Sequence, residues 1–408
     1  MTSEISILAG ILVLMVFLAA RGVVLWLAIL IASIFLSLAL RFDFPLLAGD
    51  FWKVLIDPNF IELTIVVLQI YLFSALLKST KRMEKMTSYL SSKLQNPILI
   101  LFSFPALVGL IPMPGGAMFT APITDEFGSI IKLSNEDKVF SNYWFRHCWE
   151  LNFPLYPGII LCSGLAHISP TSLSFILLPL ALTAFFSGFI LFYFRSYFLT
   201  NNPGTEKTIE NMPLSEKNTE SWIVLWPILA VIFVAGAKIS LILGLSSIII
   251  VLAIQEKIKG RDFLHSCLES VNLPIMALIY SVFLLGQVLA TTEVLSNLSF
   301  LLINAGLPIW LLSFVLPFAL GLITGVTTGF VGIVFPILLP LWKENTALFL
   351  QFAYASGLAG VFLSPSHLCL TLTQEYFGAN LWGVIKLLLF PVCAVILASA
   401  IRLAPVIF

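Results

Sequence analysis

The chain has 408 residues, 59% of them apolar and only 10% charged, with 21 basic side chains against 21 acidic ones. Ordinary soluble domains carry roughly a quarter charged residues, so this composition excludes a soluble protein and points to an all-α, multi-pass membrane protein. Zero net charge singles out no partner, and the lack of a basic stretch interleaved with aromatics argues against nucleic acid.

Two apolar segments, 5–20 and 23–40, open the chain as predicted membrane helices. Only Glu4 precedes the first, with no basic leader, so it is expected to remain a membrane helix. A polar stretch over 41–60 holds Asp43, Asp50 and Asp57. A third helix, 61–79, exits into Lys78, Lys81, Arg82, Lys85 and Lys93, an interfacial segment that its charge places on the cytoplasmic side. The apolar segment 97–131 is then interrupted by Pro112, Pro114, Gly115 and Gly116. Proline removes a backbone donor and clashes with the preceding turn, so the chain is expected to reverse here at membrane depth. Irregular backbone at that depth survives only where protein buries it or where it lines a wet cavity. Ser134 with Asp137 and Glu136 resembles a capping box and starts a helix over 136–168, itself broken by Pro154, Pro157 and Gly158. A helix at 172–199 and a polar linker at 201–221 follow.

The second half repeats the order. Helices are predicted at 222–238 and 240–254, an amphipathic piece at 256–270, a helix at 272–290 and a short amphipathic piece at 291–305. An interrupted segment at 308–341, a broken helix at 347–374 and a last helix at 381–403 complete it. Gly321 to Ile323 matches Gly109 to Ile111 at an offset of 212, and a second breaker cluster, Thr324 to Gly329, follows it. Ile70-Tyr71 against Ile279-Tyr280 gives an offset of 209, and Pro154 against Pro365 gives 211. Similarity at nearly one offset over many elements marks an internal repeat. Five crossings plus one re-entrant segment per half make the second half inverted relative to the first. That arrangement puts fifteen basic residues on or near the cytoplasmic side and five, Arg41, Lys53, Lys238, Lys343 and Arg402, outside. Both termini are therefore expected to be extracytoplasmic.

Apolar segments interrupted at corresponding positions of two halves are the best sequence pointer to a secondary transporter's site. The tips, Met113, Pro114, Gly115 and Gly116 in one half and Thr324, Gly325, Thr327, Thr328 and Gly329 in the other, would each start a half-helix. The free amides and positive dipole end of such a half-helix favour an anion. The plainer alternative is that these residues kink ordinary helices in close contact. Arg146, His147 and Glu150 stand at the first break, where an ionisable side chain costs about 2.5 to 3.5 kcal/mol to insert and so has a role or a partner. Arg146 and Glu150, four apart, either form a structural pair or serve coupling. His147 and Glu150 have the spacing of a metal pair, but no further ligand cluster joins them in sequence, so no metal is expected. His367 occupies the equivalent second break, with Ser364 and Ser366 beside it as donors and Asn152 as their counterpart in the first. The five cysteines, Cys148, Cys162, Cys267, Cys369 and Cys393, lack metal-ligand spacing and read as packing residues. No hydrolase, zinc-protease or phosphate-loop motif is present.

The two opposed hairpins, each followed by a broken helix, resemble the ion-transporter superfamily that includes gluconate, citrate, dicarboxylate and lactate permeases. More narrowly, Pro112-Met-Pro-Gly-Gly-Ala-Met-Phe-Thr-Ala-Pro122, Asn142-Tyr-Trp-Phe-Arg-His147 with Glu150, and Leu363-Ser-Pro-Ser-His-Leu-Cys-Leu370 ahead of Glu375-Tyr-Phe377 resemble an uncharacterised family of integral membrane proteins, domain of unknown function 401. The resemblance covers nearly the whole chain. It implies an elevator-type transporter of two inverted five-helix repeats: 1–200, with scaffold helices in 5–79 and a transport part over 97–199; a cytoplasmic linker, 201–221; and 222–408, with scaffold helices in 222–290 and a transport part over 308–403. It also implies a homodimer formed through the scaffold. Sodium-coupled dicarboxylate members carry a Ser-Asn-Thr type motif at each tip, and Pro-Met-Pro-Gly-Gly stands at the first tip here, which disfavours sodium.

Together these features give the expectation of a secondary active transporter, not an enzyme, in the cytoplasmic (inner) membrane. It would move a small organic anion such as a carboxylate by alternating access, without a cofactor, coupled to H+ in preference to Na+ through Glu150, His147 and Arg146. The alternatives are an intramembrane enzyme using His147, Glu150 and His367, and a channel. The topology is checked by cysteine labelling in a background freed of native cysteines. Single cysteines at Asn59 and Asn345 should react from outside, and ones at Ser91 and Ser215 only after permeabilisation; reversed labelling would end the inverted-repeat reading.

Overall fold

The computed structural model describes residues 7, 10–11, 13–15, 17–18, 21, 23–41, 44–94, 96–112, 116–200, 221–237, 239–291, 308–342 and 345–407. Half of the predicted first helix, nearly all of the linker at 201–221 and of the piece at 291–305, and Met113, Pro114 and Gly115 of the first tip lie outside the described residues. Among the described residues every regular element is a helix, and five helices are long and apolar enough to cross a membrane. The protein is an all-helical membrane protein.

In chain order α1 is Leu25–Arg41, α2 Phe44–Leu55, α3 Pro58–Ser79 and α4 Arg82–Lys93. The hairpin arms α5, Pro97–Gly109, and α6, Gly116–Ile130, precede a broken helix made of α7, Asn135–His147, a 3-10 turn at Cys148–Leu151, and α8, Pro157–Ala166. Then come α9, Pro170–Thr200, α10, Trp226–Gly236, α11, Leu241–Gln255, α12, Gly260–Ser270, and α13, Leu273–Ala290. The second hairpin is α14, Ile309–Thr324, with α15, Thr327–Leu338; the second broken helix is α16, Thr346–Leu363, with α17, Leu368–Phe377; α18, Leu381–Ile407, ends the chain.

The stretch at 41–60, expected to be merely polar, contains the regular helix α2. Its Leu47, Asp50 and Val54 lie on one helical face and are all buried. The buried Asp50 carboxylate accepts from Gln287 Nε2 of α13 at 3.3 Å, so an acidic residue that reads as loop is a partnered position inside the fold. Asp57 then caps α3, accepting from the backbone N–H of Asn59 at 2.7 Å, with Pro58 at the first helical position. The basic segment folds as α4. Its Arg82 is buried, ion-paired with Glu256 at the end of α11, and donates to the carbonyls of Val224 and Ile223.

Both hairpins are held by the same contact. A side chain at Gly109 would put its Cβ 2.2 Å from the Arg146 carbonyl oxygen, and one at Gly321 would put it 2.1 Å from that of Gly357. Each hairpin's first arm thus lies backbone to backbone on the broken helix that follows it, α5 on α7 and α14 on α16. The halves also interlock reciprocally, with α8 packed on α15 and α17 packed on α6 and α7. Asn142 fastens α6 to α7: its buried side-chain oxygen accepts from Thr120 at 2.5 Å and Thr124 at 3.2 Å, and its amide donates to the Ala117 carbonyl at 2.9 Å. The capping expectation holds as well, since Ser134 Oγ accepts from the Asp137 N–H at 3.1 Å.

Gly321→Ala should separate α14 from α16 and cost about 1–3 kcal/mol, as overpacking does. Gly286→Ala, where an added Cβ meets nothing within 4 Å, should leave stability unchanged or slightly raised. Thermal unfolding of the purified protein in detergent separates the two outcomes.

Candidate functional site

The breaks of the two halves meet at one cavity of about 290 Å³. Its wall is made of Arg146 and Glu150, the start of α8 at Tyr156 to Gly158, the second tip at Gly325 to Thr328, and Ser366 to Cys369 at the second break. Pro112 of the first tip and Ile70, Tyr71 and Ile275 of α3 and α13 close it. Three helices begin at this wall: α8 at Pro157, α15 at Thr327 and α17 at Leu368. None has a side-chain cap at its first turn. The amides that open a helix have no intrahelical partner, and the macrodipole adds positive potential there, so three such ends converge on one small space.

Gly325 makes the second tip. Its φ of 62° is left-handed, and an added Cβ would lie 2.7 Å from the backbone nitrogen of His367. No other residue type fits that combination without strain. The tightness brings the tip and the second break together, and the Gly325 carbonyl accepts from His367 Nδ1 at 2.8 Å. Gly158 allows the matching approach in the first half, since a Cβ there would meet Thr327 Cγ2 at 2.3 Å.

The polar groups are arranged across the halves. Thr327 Oγ1 donates to Glu150 Oε2 at 3.0 Å, and Tyr354 donates to the Glu150 backbone carbonyl at 3.1 Å. His147 Nε2 lies 3.8 Å from Glu150 Oε1. The rings of His147 and His367 stand edge to face with centroids 5.1 Å apart and their Nε2 atoms at 3.4 Å. Arg146 NH1 is 3.2 Å from His147 Nε2 and 3.9 Å from Cys369 Sγ. Arg146, His147, Glu150 and His367 are all buried.

Of the residues singled out in the sequence, Gly325, Thr327, Thr328, Ser366, His367, Glu150 and Arg146 line this cavity, and His147 stands immediately behind them. Others lie elsewhere. Asn152 lines a separate, apolar cavity with Leu110, Trp149 and Phe153. Ser364 is fully buried and donates to the Leu322 carbonyl at 2.6 Å, while Thr324 donates back to Leu320 within its own helix. Gly116 is buried at the start of α6, and Gly329 packs inside α15 against Thr324. Sequence reasoning did not single out Tyr156, Tyr354 or Cys369. The tyrosines sit in apolar segments at no telling spacing, and Cys369, read as a packing residue, lines the cavity. His147, His367 and Cys369, scattered in sequence, have ligand atoms that lie within 4.8 Å of one another.

The chain matches the family described as "Protein of unknown function (DUF401)" over residues 2–406, and it belongs to that family. Comparison with curated proteins gives no match.

The Thr327–Glu150 bond crosses between the halves and is partly buried. Thr327→Val, which keeps the shape and removes the donor, should cost about 1–3 kcal/mol, whereas Thr327→Ser should cost less than half as much. Equal unfolding temperatures for the two variants would show that the hydroxyl does not hold the carboxylate.

Proposed function

We propose that this protein is a secondary active transporter of small organic anions, carboxylates foremost, and that the cavity between the two breaks is its substrate site. The observation that carries the reading is the convergence of three helix N-termini without side-chain caps and the Arg146 guanidinium on one cavity. Partial positive charge from several fixed amides favours an anion without fitting one shape, and a guanidinium matches a carboxylate through two parallel donors.

The location supports transport over the rival readings. The equivalent contacts of Gly109 and Gly321, and the reciprocal packing of α8 on α15 and α17 on α6, are what two inverted repeats of an elevator-type carrier would produce. The cavity lies between this interlocked unit and α3 and α13, the helices assigned above to a scaffold. A channel needs a path through the protein, and paired breaks closing on one cavity suit alternating access instead. The coupling ion in this reading is H+, with Na+ disfavoured by the Pro-Met-Pro-Gly-Gly tip. Glu150 is the carboxylate at the wall.

Purified protein in proteoliposomes should take up a labelled carboxylate saturably and only when a gradient is imposed. A pH gradient should drive accumulation and a sodium gradient should not. Arg146→Gln should raise the half-saturation concentration at least tenfold, the loss of a charge-assisted bond of about 1.5–3 kcal/mol. Non-saturable flux without a gradient would establish a channel, and conversion of the carboxylate to a product would establish an enzyme.

A further inference from the structure

The two histidines are held in a way that transport of an anion does not explain. His147 Nδ1 lies 2.7 Å from the Tyr143 carbonyl oxygen, and His367 Nδ1 lies 2.8 Å from that of Gly325. A carbonyl oxygen only accepts, so each Nδ1 carries the hydrogen, and each neutral ring keeps its lone pair on Nε2. The two Nε2 atoms stand 3.4 Å apart. Arg146 NH1 can donate to His147 Nε2, but among the described residues the contact of His367 Nε2 is the other ring's lone pair. Two acceptors so opposed call for something electropositive between them. Cys369 Sγ belongs to the same group of atoms.

We propose that His147, His367 and Cys369 form a three-ligand site for a borderline-soft transition-metal cation of the zinc class at the wall of the cavity. The spacing fits. A tetrahedral zinc with Zn–N bonds of about 2.0–2.1 Å sets its two nitrogens about 3.3–3.4 Å apart, and the Nε2 atoms stand 3.4 Å apart. The donor set of two imidazoles and a thiolate suits such an ion and excludes magnesium and calcium, which take oxygen ligands. The outer bonds fit as well, because a metal-bound histidine donates its second N–H to a carbonyl or carboxylate, as both rings do here. Binding converts the Cys369 thiol to a thiolate and releases its proton. That thiolate offsets Arg146, so the charge of the ion is left for Glu150 and for an anionic oxygen ligand at the open fourth position, since His367 and Cys369 both line the cavity. Arg146 occupies the same ligand atoms when no ion is present, so guanidinium and ion compete for them. The site stands on these geometries alone and holds whether or not an anion is transported.

Cobalt(II) titrated into the purified full-length protein under reducing conditions reads the site directly. The wild type should bind at one site, with the visible d–d bands of a tetrahedral ion and a near-ultraviolet sulfur-to-cobalt charge-transfer band, and zinc should displace the cobalt. Cys369→Ser should lose the charge-transfer band and bind at least about tenfold more weakly, and Cys393→Ser should behave as wild type. His367→Ala should abolish the bands. Arg146→Gln should bind cobalt more tightly than wild type, an outcome that a purely structural histidine pair would not give. Cys369→Ser changes one atom, and an unaltered unfolding temperature would confirm its fold, so the proposal stands or falls with that variant. No tetrahedral spectrum in the wild type, or one that Cys369→Ser leaves unchanged, would overturn it. A positive result with failed uptake would retain the metal site and discard the carrier reading.

Discussion

Everything in this structure follows from the need to satisfy backbone polar groups where helices stop inside a membrane protein. Each break frees carbonyl and amide groups that lipid cannot bond. The freed carbonyls are met by side chains from elsewhere in the chain. Tyr156 donates to Gly109, Trp149 to Ala106 at 2.8 Å, Tyr354 to Glu150 at 3.1 Å, Ser364 to Leu322 at 2.6 Å and His367 to Gly325 at 2.8 Å. The Tyr354 bond ties the two broken helices together, and the others tie each hairpin to the broken helix that follows it. They also decide which way the side chains face. By giving its Nδ1 hydrogen to Gly325, His367 must present its other nitrogen to His147, so a structural bond at one atom creates chemistry at the next.

The same reasoning separates charges that hold the fold from those that face the cavity. Arg195 clasps Asp137 with two donors, at 2.5 and 3.0 Å, and Lys138 reaches Asp125 at 2.6 Å and Ser129 at 2.8 Å. Arg82 pairs with Glu256 and reaches two carbonyls besides. These cations fasten one helix to another away from the cavity wall. Glu150 differs, since its carboxylate accepts from a threonine hydroxyl of the opposite half and lies 3.8 Å from the His147 imidazole, which in turn meets the Arg146 guanidinium. A carboxylate in a buried polar cluster at a cavity wall contributes little to stability alone.

Much of this was legible in the sequence, for a physical reason. Proline and glycine act locally, so the helices that end at Gly109, His147, Thr324 and Leu363 stop where the sequence places breaker residues. The helix α2 was hidden because Asp50 reads as solvent-facing, and only the fold supplies Gln287 to meet it. Ionisable residues in apolar segments announced Glu150, His147 and His367. Cys369 and Tyr354 gave no such signal, being residue types at home in an apolar helix. The nearness of His147 to His367, 220 residues apart in sequence, depends on the tertiary fold, and spacing rules for metal ligands read only local clusters.

The contacts within and around the interlocked unit differ in kind, and that difference bears on how a carrier of this shape would move. Inside the unit, α5 lies on α7 and α14 on α16 with a glycine against a carbonyl oxygen, and the breaks are bonded across the halves. Shifting one part against another would break hydrogen bonds that nothing replaces. Toward α1, α3 and α13 the glycines of α8 and α15 meet apolar atoms instead: Gly164 faces Leu63 and Phe283, and Gly332 faces Val282 and Ile29. The polar contacts between the unit and α3 are long, Asn59 to His167 at 3.4 Å and Ser74 to the Pro112 carbonyl at 3.5 Å. Non-directional contacts over small residues re-form after a translation, whereas the bonded interior does not tolerate one. In the carrier proposed above, this partition would let a rigid unit move along an apolar seam, with Ile70, Tyr71 and Ile275 as the surface facing the bound solute.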